Sequence, residues 1–521
     1  MKNLFFILIY CVICTQYAFS ENDCDCLPDE EGMYHYYVNL KEDNVRDDFS
    51  KENLLSVMKK SKSMALDNIQ THSAEIKDAF KSFPTAHSKF LQKTITIKSY
   101  DPDLDTKLGK LSDVFNLIEK NCFGGELASY HPNDYAIGGH AWKRHHLDLV
   151  RAPEAWEIAK GDPRILIGIV DTYIDENHEE LKDKIAVIRR NIYPDNNNNP
   201  GHGTQVAGFA AGHTDNSKGL AAIGFNCKIA FSSTNTDTEV LFMAQVPGVR
   251  VINRSWGQPS HTSVMDSLYR EVRDIHNVVV VASAGNGGTI NGGASAYRYP
   301  ASYESVISVT SVCSTNQYGV VHPQSGKFLW KDCHEATIGD KNSTFQHNDK
   351  VNICAPGFNL YTTDLGNTYA EDVKGTSLSA PMVAGVCALI ASINPCLSAV
   401  EIKDIVLSTT DPTLYTYPEN SDYIGLLGTG RLDAYAAVKK AVELGTKYIQ
   451  NKTYNTSVTE TAETEIKAGS SVSQNQPSGA VTINTGANVI FRATRGIELL
   501  PGFEVKPGAS FSAEIYESPC F

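Results

Sequence analysis

The sequence predicts an α/β protein: a three-layer sandwich around a mainly parallel central sheet, preceded by an α+β region and followed by a small all-β module. Two short, apolar, β-branched runs carry the first part, residues 165–170 (ILIGIV) and 277–283 (NVVVVAS). Runs of this length without polar alternation read as strands buried on both faces, as in parallel sheets covered by helices. The second observation is the run 380–393, which has no polar stripe and reads as a helix buried on all sides. The third is a change of texture towards both ends of the 521-residue chain, which sets the outer segments apart from the middle.

In chain order, residues 1–20 read as a secretory signal peptide. Lys2 is the charged start, residues 4–14 are an apolar core too short to span a bilayer, and Ala18-Phe19-Ser20 offers a cleavage site before Glu21. No other stretch is long and apolar enough for a membrane span, so the mature chain is expected to be secreted, extracellular or at the cell surface. Residues 21–134 are more polar and charge-rich, with strands at 36–40 (YYVNL) and 94–98 (TITIK), helical stretches near 51–80 and 104–111, and a further element at 114–118. Residues 135–446 form the main domain. Residues 447–478, rich in Thr, Ser, Asn, Glu and Ala, predict a linker, with glycosylation sequons beginning at Asn451 and Asn455. Residues 479–521 return to short alternating segments punctuated by Gly486, Gly496, Gly502 and Gly508, which predicts a small stacked β module.

Four polar side chains stand at the ends of these elements. Asp171 directly follows the run 165–170, where open α/β sheets build their sites. His202 lies between two glycines at the start of a small-residue helix (GHGTQVAG). Asn286 sits in the loop Ala284-Gly285-Asn286-Gly287-Gly288 after the second apolar run. Ser377, in Gly375-Thr376-Ser377-Leu378-Ser379-Ala380-Pro381, precedes the apolar helix, whose unbonded N–H groups and dipole would face any negative charge developing there. Singly, each has an ordinary reading as a helix cap or turn former. Together they are an acid, a base, an oxyanion donor and a nucleophile, the set that acyl transfer needs.

The segments IVDTYID, HGTQVAG and GTSLSAP resemble the three signature segments of the subtilisin-like serine proteases (subtilases), and the similarity runs from about Trp142 to Val442. The resemblance implies a secreted serine endopeptidase with Ser377 as nucleophile, His202 as general base, Asp171 orienting His202, and Asn286 with the Ser377 N–H holding the oxyanion. It implies that Ser255, Trp256 and Gly257, with Gly285, bind an extended polypeptide substrate. It also implies that the N-terminal region is an inhibitory propeptide, the chain's own intramolecular partner. The chain departs from the family pattern at Tyr173, where glycine is usual, at Gln205 and at Met382.

The net charge of −14 argues against nucleic acid as a partner. Of 12 cysteines, Cys11 and Cys14 fall in the signal segment, leaving an even number in a disulfide-permissive setting, with Cys313–Cys333 the expected pair. No cofactor is expected to be required and no residue is assigned to a metal. A structural calcium ion stays an option because subtilases often bind one, with Glu180, Asp215 and Asn216 as oxygen donors. The protein is expected to be a monomer. Two other readings remain open: an inert subtilase-fold binding or adhesion protein served by the β module, and a dedicated processing peptidase.

Overall fold

The computed structural model describes residues 34–40, 73–78, 94–99 and 115–121, and residues 129–520 except 136–142, 191–200, 235, 288–292, 314–332 and 335–344. The signal segment and the helices expected near 51–72 and 104–111 lie outside the described residues. The chain divides into two compact units, Met1–Ala128 and Ser129–Phe521.

In the first unit, β1 (Tyr34–Leu40), β2 (Ser73–Asp78), β3 (Thr94–Ser99) and β4 (Phe115–Asn121) form an antiparallel sheet of order β2-β3-β1-β4. Ser73–Asp78 was expected to be helical and is a strand. Its sequence SAEIKD alternates polar and apolar only weakly, so pairing with β3 decides its conformation. The segment 129–134, expected to belong with the N-terminal region, belongs to the second unit, where the Tyr130 N–H donates to the Pro153 carbonyl at 2.9 Å.

The second unit is built on seven parallel strands: β5 (Leu166–Val170), β6 (Ile185–Arg189), β7 (Lys228–Ser232), β8 (Val249–Arg254), β9 (Val279–Ser283), β10 (Val306–Val312) and β11 (Ile353–Pro356), in the order β11-β10-β9-β8-β5-β7-β6. Alternate strand residues enter opposite cores, as the pleat requires. Ile167, Ile169, Val279, Val281, Ile307 and Val309 face one core with helices α3 (His202–Ala211), α6 (Thr376–Ile393), α7 (Ala399–Ser408) and α8 (Ala434–Gly445). Leu166, Val170, Val280, Ala282 and Val306 face the other with α4 (Asp237–Ala244) and α5 (Ser263–Asp274). Two short helices, α1 (His145–Leu149) and α2 (Ala152–Ile158), lead into the sheet. This is the expected three-layer sandwich. Helix α6 has the length and apolarity of a membrane span, but it is the buried core helix the sequence predicted.

A hairpin of β12 (Leu360–Asp364) and β13 (Thr368–Val373) joins the two halves of the site. Thr362 and Thr363 donate their hydroxyls to the carbonyls of Gln205 and Thr204 in α3, at 2.9 and 2.7 Å, and β13 then delivers the chain to α6. A Cβ on Gly208 would lie 2.4 Å from the Thr363 hydroxyl, so that helix face must be bare.

The expected linker is not a linker. Residues 447–468 carry β14 (Lys447–Ile449), β15 (Lys452–Tyr454), β16 (Val458–Ala462) and β17 (Glu465–Ala468). With β18 (Val481–Ile483), β19 (Asn488–Ala493), β20 (Gly496–Leu499), β21 (Phe503–Val505) and β22 (Ser510–Ile515) they form three parallel sheets, β14-β17-β20, β15-β18-β21 and β16-β19-β22. The chain therefore coils in three-sided turns around a core that includes Ile466, Val481, Ile483, Val489 and Phe491. A Cys396–Cys520 disulfide ties the coil to the end of α6, and Arg495 donates to the Ile158 carbonyl at 2.7 Å. The expected Cys313–Cys333 bridge is not formed. Both side chains are buried, and the Cys313 N–H donates to the Cys333 carbonyl at 3.1 Å.

Candidate active site

Strand order reverses around β5, because the chain fills β7 and β6 on one side and β8 to β11 on the other. A crevice opens at such a switch point beyond the carboxyl ends of the strands. Asp171 follows β5, Ser255 follows β8, and Gly285 and Asn286 follow β9, so three loops converge there.

Asp171 is 2% exposed, and its Oδ1 accepts the Thr172 N–H at 2.7 Å and lies 2.7 Å from His202 Nδ1. That contact fixes the His202 ring and directs Nε2 away from the acid. Burial disfavours the imidazolium, while the charge of Asp171 and its hydrogen bond favour it; the balance raises the His202 pKa above the ordinary 6.5. His202 opens α3, and Gly203 beside it packs too closely for a side chain, since a Cβ there would be 2.5 Å from the Tyr173 carbonyl. Tyr173 itself does not take positive φ, so the tyrosine in place of glycine is unstrained; it is 48% exposed.

Ser377 is the second residue of α6, after Gly375, whose φ of 141° only glycine adopts readily. Its N–H is therefore among those that no helical carbonyl reaches. Its carbonyl has a different history. Pro381 lies four residues on and has no N–H to return, so the helix leaves the Ser377 carbonyl unbonded. The Ser255 hydroxyl fills that role, donating to it at 2.7 Å while accepting from Asn253 Nδ2 at 2.9 Å. Ser379, two residues along, donates to the Pro356 carbonyl at 2.8 Å and holds the preceding loop.

Asn286 is oriented by Thr376, whose N–H donates to Asn286 Oδ1 at 3.0 Å; the Thr376 hydroxyl accepts the Gly285 N–H at 3.0 Å. With Oδ1 so held, the amide nitrogen is the end left to face the cleft. Ser377 Oγ and Asn286 Nδ2 both approach the bare face of Gly375, 3.2 and 3.4 Å from where a Cβ would stand. His202, Asn286 and Ser377 line one cleft of about 480 Å³ with Ser255, Trp256, Gly257 and Gly285. All the sequence-predicted site residues but Asp171 thus share that cleft, and Asp171 stands behind His202. Sequence reasoning missed Thr376 as the group that turns Asn286, although it lies inside the serine motif. It also missed Arg298, which lines the cleft from a remote loop.

A second polar cluster lies away from the cleft. Burial pushes the Glu180 carboxyl up to about 8 and that of Asp134 up to about 6. Asn216 donates its side-chain amide to Glu180 Oε2 and its N–H to Asp134 Oδ2, both at 3.1 Å, and Asp134 Oδ1 is buried with no hydrogen-bond partner. Asp215 is turned elsewhere, to the Tyr130 hydroxyl at 2.7 Å. Among the described residues no trio of His, Cys, Asp or Glu is arranged around a metal. The carboxylate oxygens of Asp134 and Glu180 nonetheless fit a hard cation in kind, and the orphaned Asp134 oxygen is what such an ion satisfies, while the Asn216 oxygen accepts the Lys218 N–H at 2.9 Å.

Comparison with known proteins gives a consistent result. The family profile described as "Subtilase family" matches residues 162–475. Thermitase of Thermoactinomyces vulgaris is 32% identical over 330 residues, covering 60% of this chain and 100% of that protein. The thermophilic serine proteinase of Bacillus sp. (strain AK1) is 30% identical over 329 residues, 60% of this chain and 70% of that one. A calcium-dependent protease of Nostoc sp. is 28% identical over 355 residues, 60% of this chain and 51% of its own.

Proposed function

The chain belongs to the subtilase family and is a serine endopeptidase, and from that premise we propose that it cleaves peptide bonds with Ser377, His202, Asp171 and Asn286. In this reading the Ser377 Oγ attacks the scissile carbonyl carbon while His202 Nε2 takes the hydroxyl proton. The carbonyl π pair moves onto oxygen, and Asn286 Nδ2 and the Ser377 N–H receive that charge. The tetrahedral adduct collapses, the C–N bond breaks, and His202 returns the proton to the leaving amine. Water then repeats the sequence on the acyl-enzyme and releases Ser377. Asp171 orients the ring and balances its positive charge.

The observation that carries this reading is the 2.7 Å contact between Asp171 and His202 in a site whose cleft also holds Asn286 and Ser377. We also assign the Ser255–Gly257 segment to pairing with an extended substrate backbone, as an added strand does at a sheet edge. The N-terminal unit is assigned as a propeptide that leaves on maturation after export, consistent with its standing as a separate compact unit. Asp134 and Glu180 would hold a calcium ion, which would neutralise the buried carboxylates. The test is hydrolysis of an unstructured polypeptide by wild type and Ser377→Ala, with intact mass recorded for both. Wild type is expected to lose the N-terminal unit and cleave while the variant does neither. Equal behaviour of the two proteins would refute the assignment.

A further inference from the structure

We propose that Arg298 sets the specificity of this site, selecting a peptide whose acyl-side residue, the one carrying the attacked carbonyl, bears a carboxylate side chain. The proposal rests on the reading of Ser377 as nucleophile.

A carbonyl held at Ser377 with its oxygen towards Asn286 directs its leaving amine to His202. The side chain of that same residue must then leave on the opposite side. There the cleft continues between Ser255, Gly257 and Pro259 on one wall and Ser283 and Gly285 on the other, and Arg298 stands among its lining residues. The two glycines and two serines leave the walls small. The charged group beside these small side chains is Arg298.

Arg298 is not a loose surface arginine. Gln258 and Tyr299 form an antiparallel bridge, each N–H donating to the other's carbonyl at 2.8 Å. That bridge lays residue 298 against the wall that contains Gly257 and Pro259. A Cβ built on Gly257 would stand 3.6 Å from the Arg298 Cβ, and the Arg298 backbone is closed into a turn by Ser302, whose N–H donates to its carbonyl at 2.7 Å. The side chain is half-buried, and desolvation works against its charge. Arg298 and His202 are the ionisable groups among the described residues lining the cleft, and no carboxylate is among them.

A guanidinium in this position presents paired N–H donors, which match a carboxylate in geometry and charge. A glutamate or aspartate entering the cleft meets that guanidinium with opposite charge and matching geometry. An amide offers the same shape without the charge, a leucine desolvates the cation with no return, and a lysine adds a like charge. The whole protein is acidic at −14, so this selection is local and not a long-range attraction for acidic substrates.

The experiment measures kcat/KM on peptides identical except for Glu, Gln, Leu or Lys on the acyl side of the cut. The enzymes are wild type, Arg298→Gln and Arg298→Lys, with active sites counted by fluorophosphonate labelling. Wild type is expected to prefer Glu over its isostere Gln by about tenfold to a hundredfold, the range of one charge-assisted hydrogen bond. Arg298→Gln is expected to bring the Glu/Gln ratio close to one, and Arg298→Lys to keep part of it. A merely structural arginine would lower both rates together and leave the ratio alone. The wild-type ratio decides the matter even if Arg298→Gln does not fold. A wild type that labels and cuts Gln or Leu peptides as well as Glu peptides overturns the assignment of Arg298 and leaves Ser377 standing. A wild type that neither labels nor cuts overturns the nucleophile reading, and this proposal with it.

Discussion

Replacing Ser255 by alanine removes one hydroxyl and strands two groups at once. The Ser377 carbonyl loses its 2.7 Å donor, and Asn253 Nδ2, on a fully buried side chain, loses its 2.9 Å acceptor. A buried polar group left without a partner costs about 1–3 kcal/mol. Ser377 lines the cleft whereas Asn253 is fully buried, so the loss should come mainly from Asn253, about 2 kcal/mol in all. The structure also specifies a partial rescue. Pro381→Ala restores an N–H four residues after Ser377, which can bond the same carbonyl along the helix. The double-mutant cycle of Ser255→Ala with Pro381→Ala should therefore show a favourable coupling of about 0.5–1.5 kcal/mol. Urea unfolding in a Ser377→Ala background measures it, because that change stops self-digestion and keeps the backbone carbonyl. Additive effects of the two changes, or a Ser255→Ala cost below about 0.3 kcal/mol, would refute the idea that this hydroxyl replaces the missing proline donor.

Asp171→Asn should lower kcat about 10⁴-fold, a magnitude taken over from serine proteases with the same buried pair. The rise of wild-type kcat/KM with pH should follow an apparent pKa above 6.5, because His202 must be neutral to act as base. The raised pKa also makes the pair's charge stabilisation complete below about pH 6.5 and lost as pH climbs through the folded value; unfolding of Ser377→Ala against pH checks this sign. Asn286→Ala should lower kcat by about 10²–10³ with little change in KM, again a magnitude known from subtilisin and not worked from this structure. Cys520→Ser opens a loop spanning 124 residues and should lower the unfolding free energy by about 2–5 kcal/mol in denaturant titration. Chelating divalent ions should lower the melting temperature of wild type and have little effect on Glu180→Gln, with calorimetry as the readout.

The middle of the fold was legible because its chemistry is local. Residues 165–170 and 277–283 must be buried on both faces, so they carry no polar alternation to mislead. Ser377 needs small neighbours and a free helix end, and Gly375 needs a backbone angle that glycine supplies, so the motif is short and contiguous. The coil at 447–468 was misread because each of its strands buries few side chains. In β16 only Glu460 and Ala462 are buried, and Glu460 is held by Lys447 and Lys452 at 2.6 Å, so a polar composition hides a packed turn. Cys396–Cys520 was out of reach because the whole coil must form before those residues meet, whereas Cys313 and Cys333 were expected to pair because they flank an insertion relative to the family pattern. Arg298 was missed for a related reason. Its place beside Gly257 depends on the bridge between Gln258 and Tyr299, which no spacing announces.

The central claim is that Ser377 is the nucleophile activated by His202. Its most direct test is to treat the purified protein with a fluorophosphonate and locate the adduct by peptide mass spectrometry, in wild type, His202→Ala and Ser377→Ala. The account predicts a single adduct on Ser377, formed far more slowly in His202→Ala and absent from Ser377→Ala. An adduct on another residue, or equal labelling of Ser377 with and without His202, would contradict it.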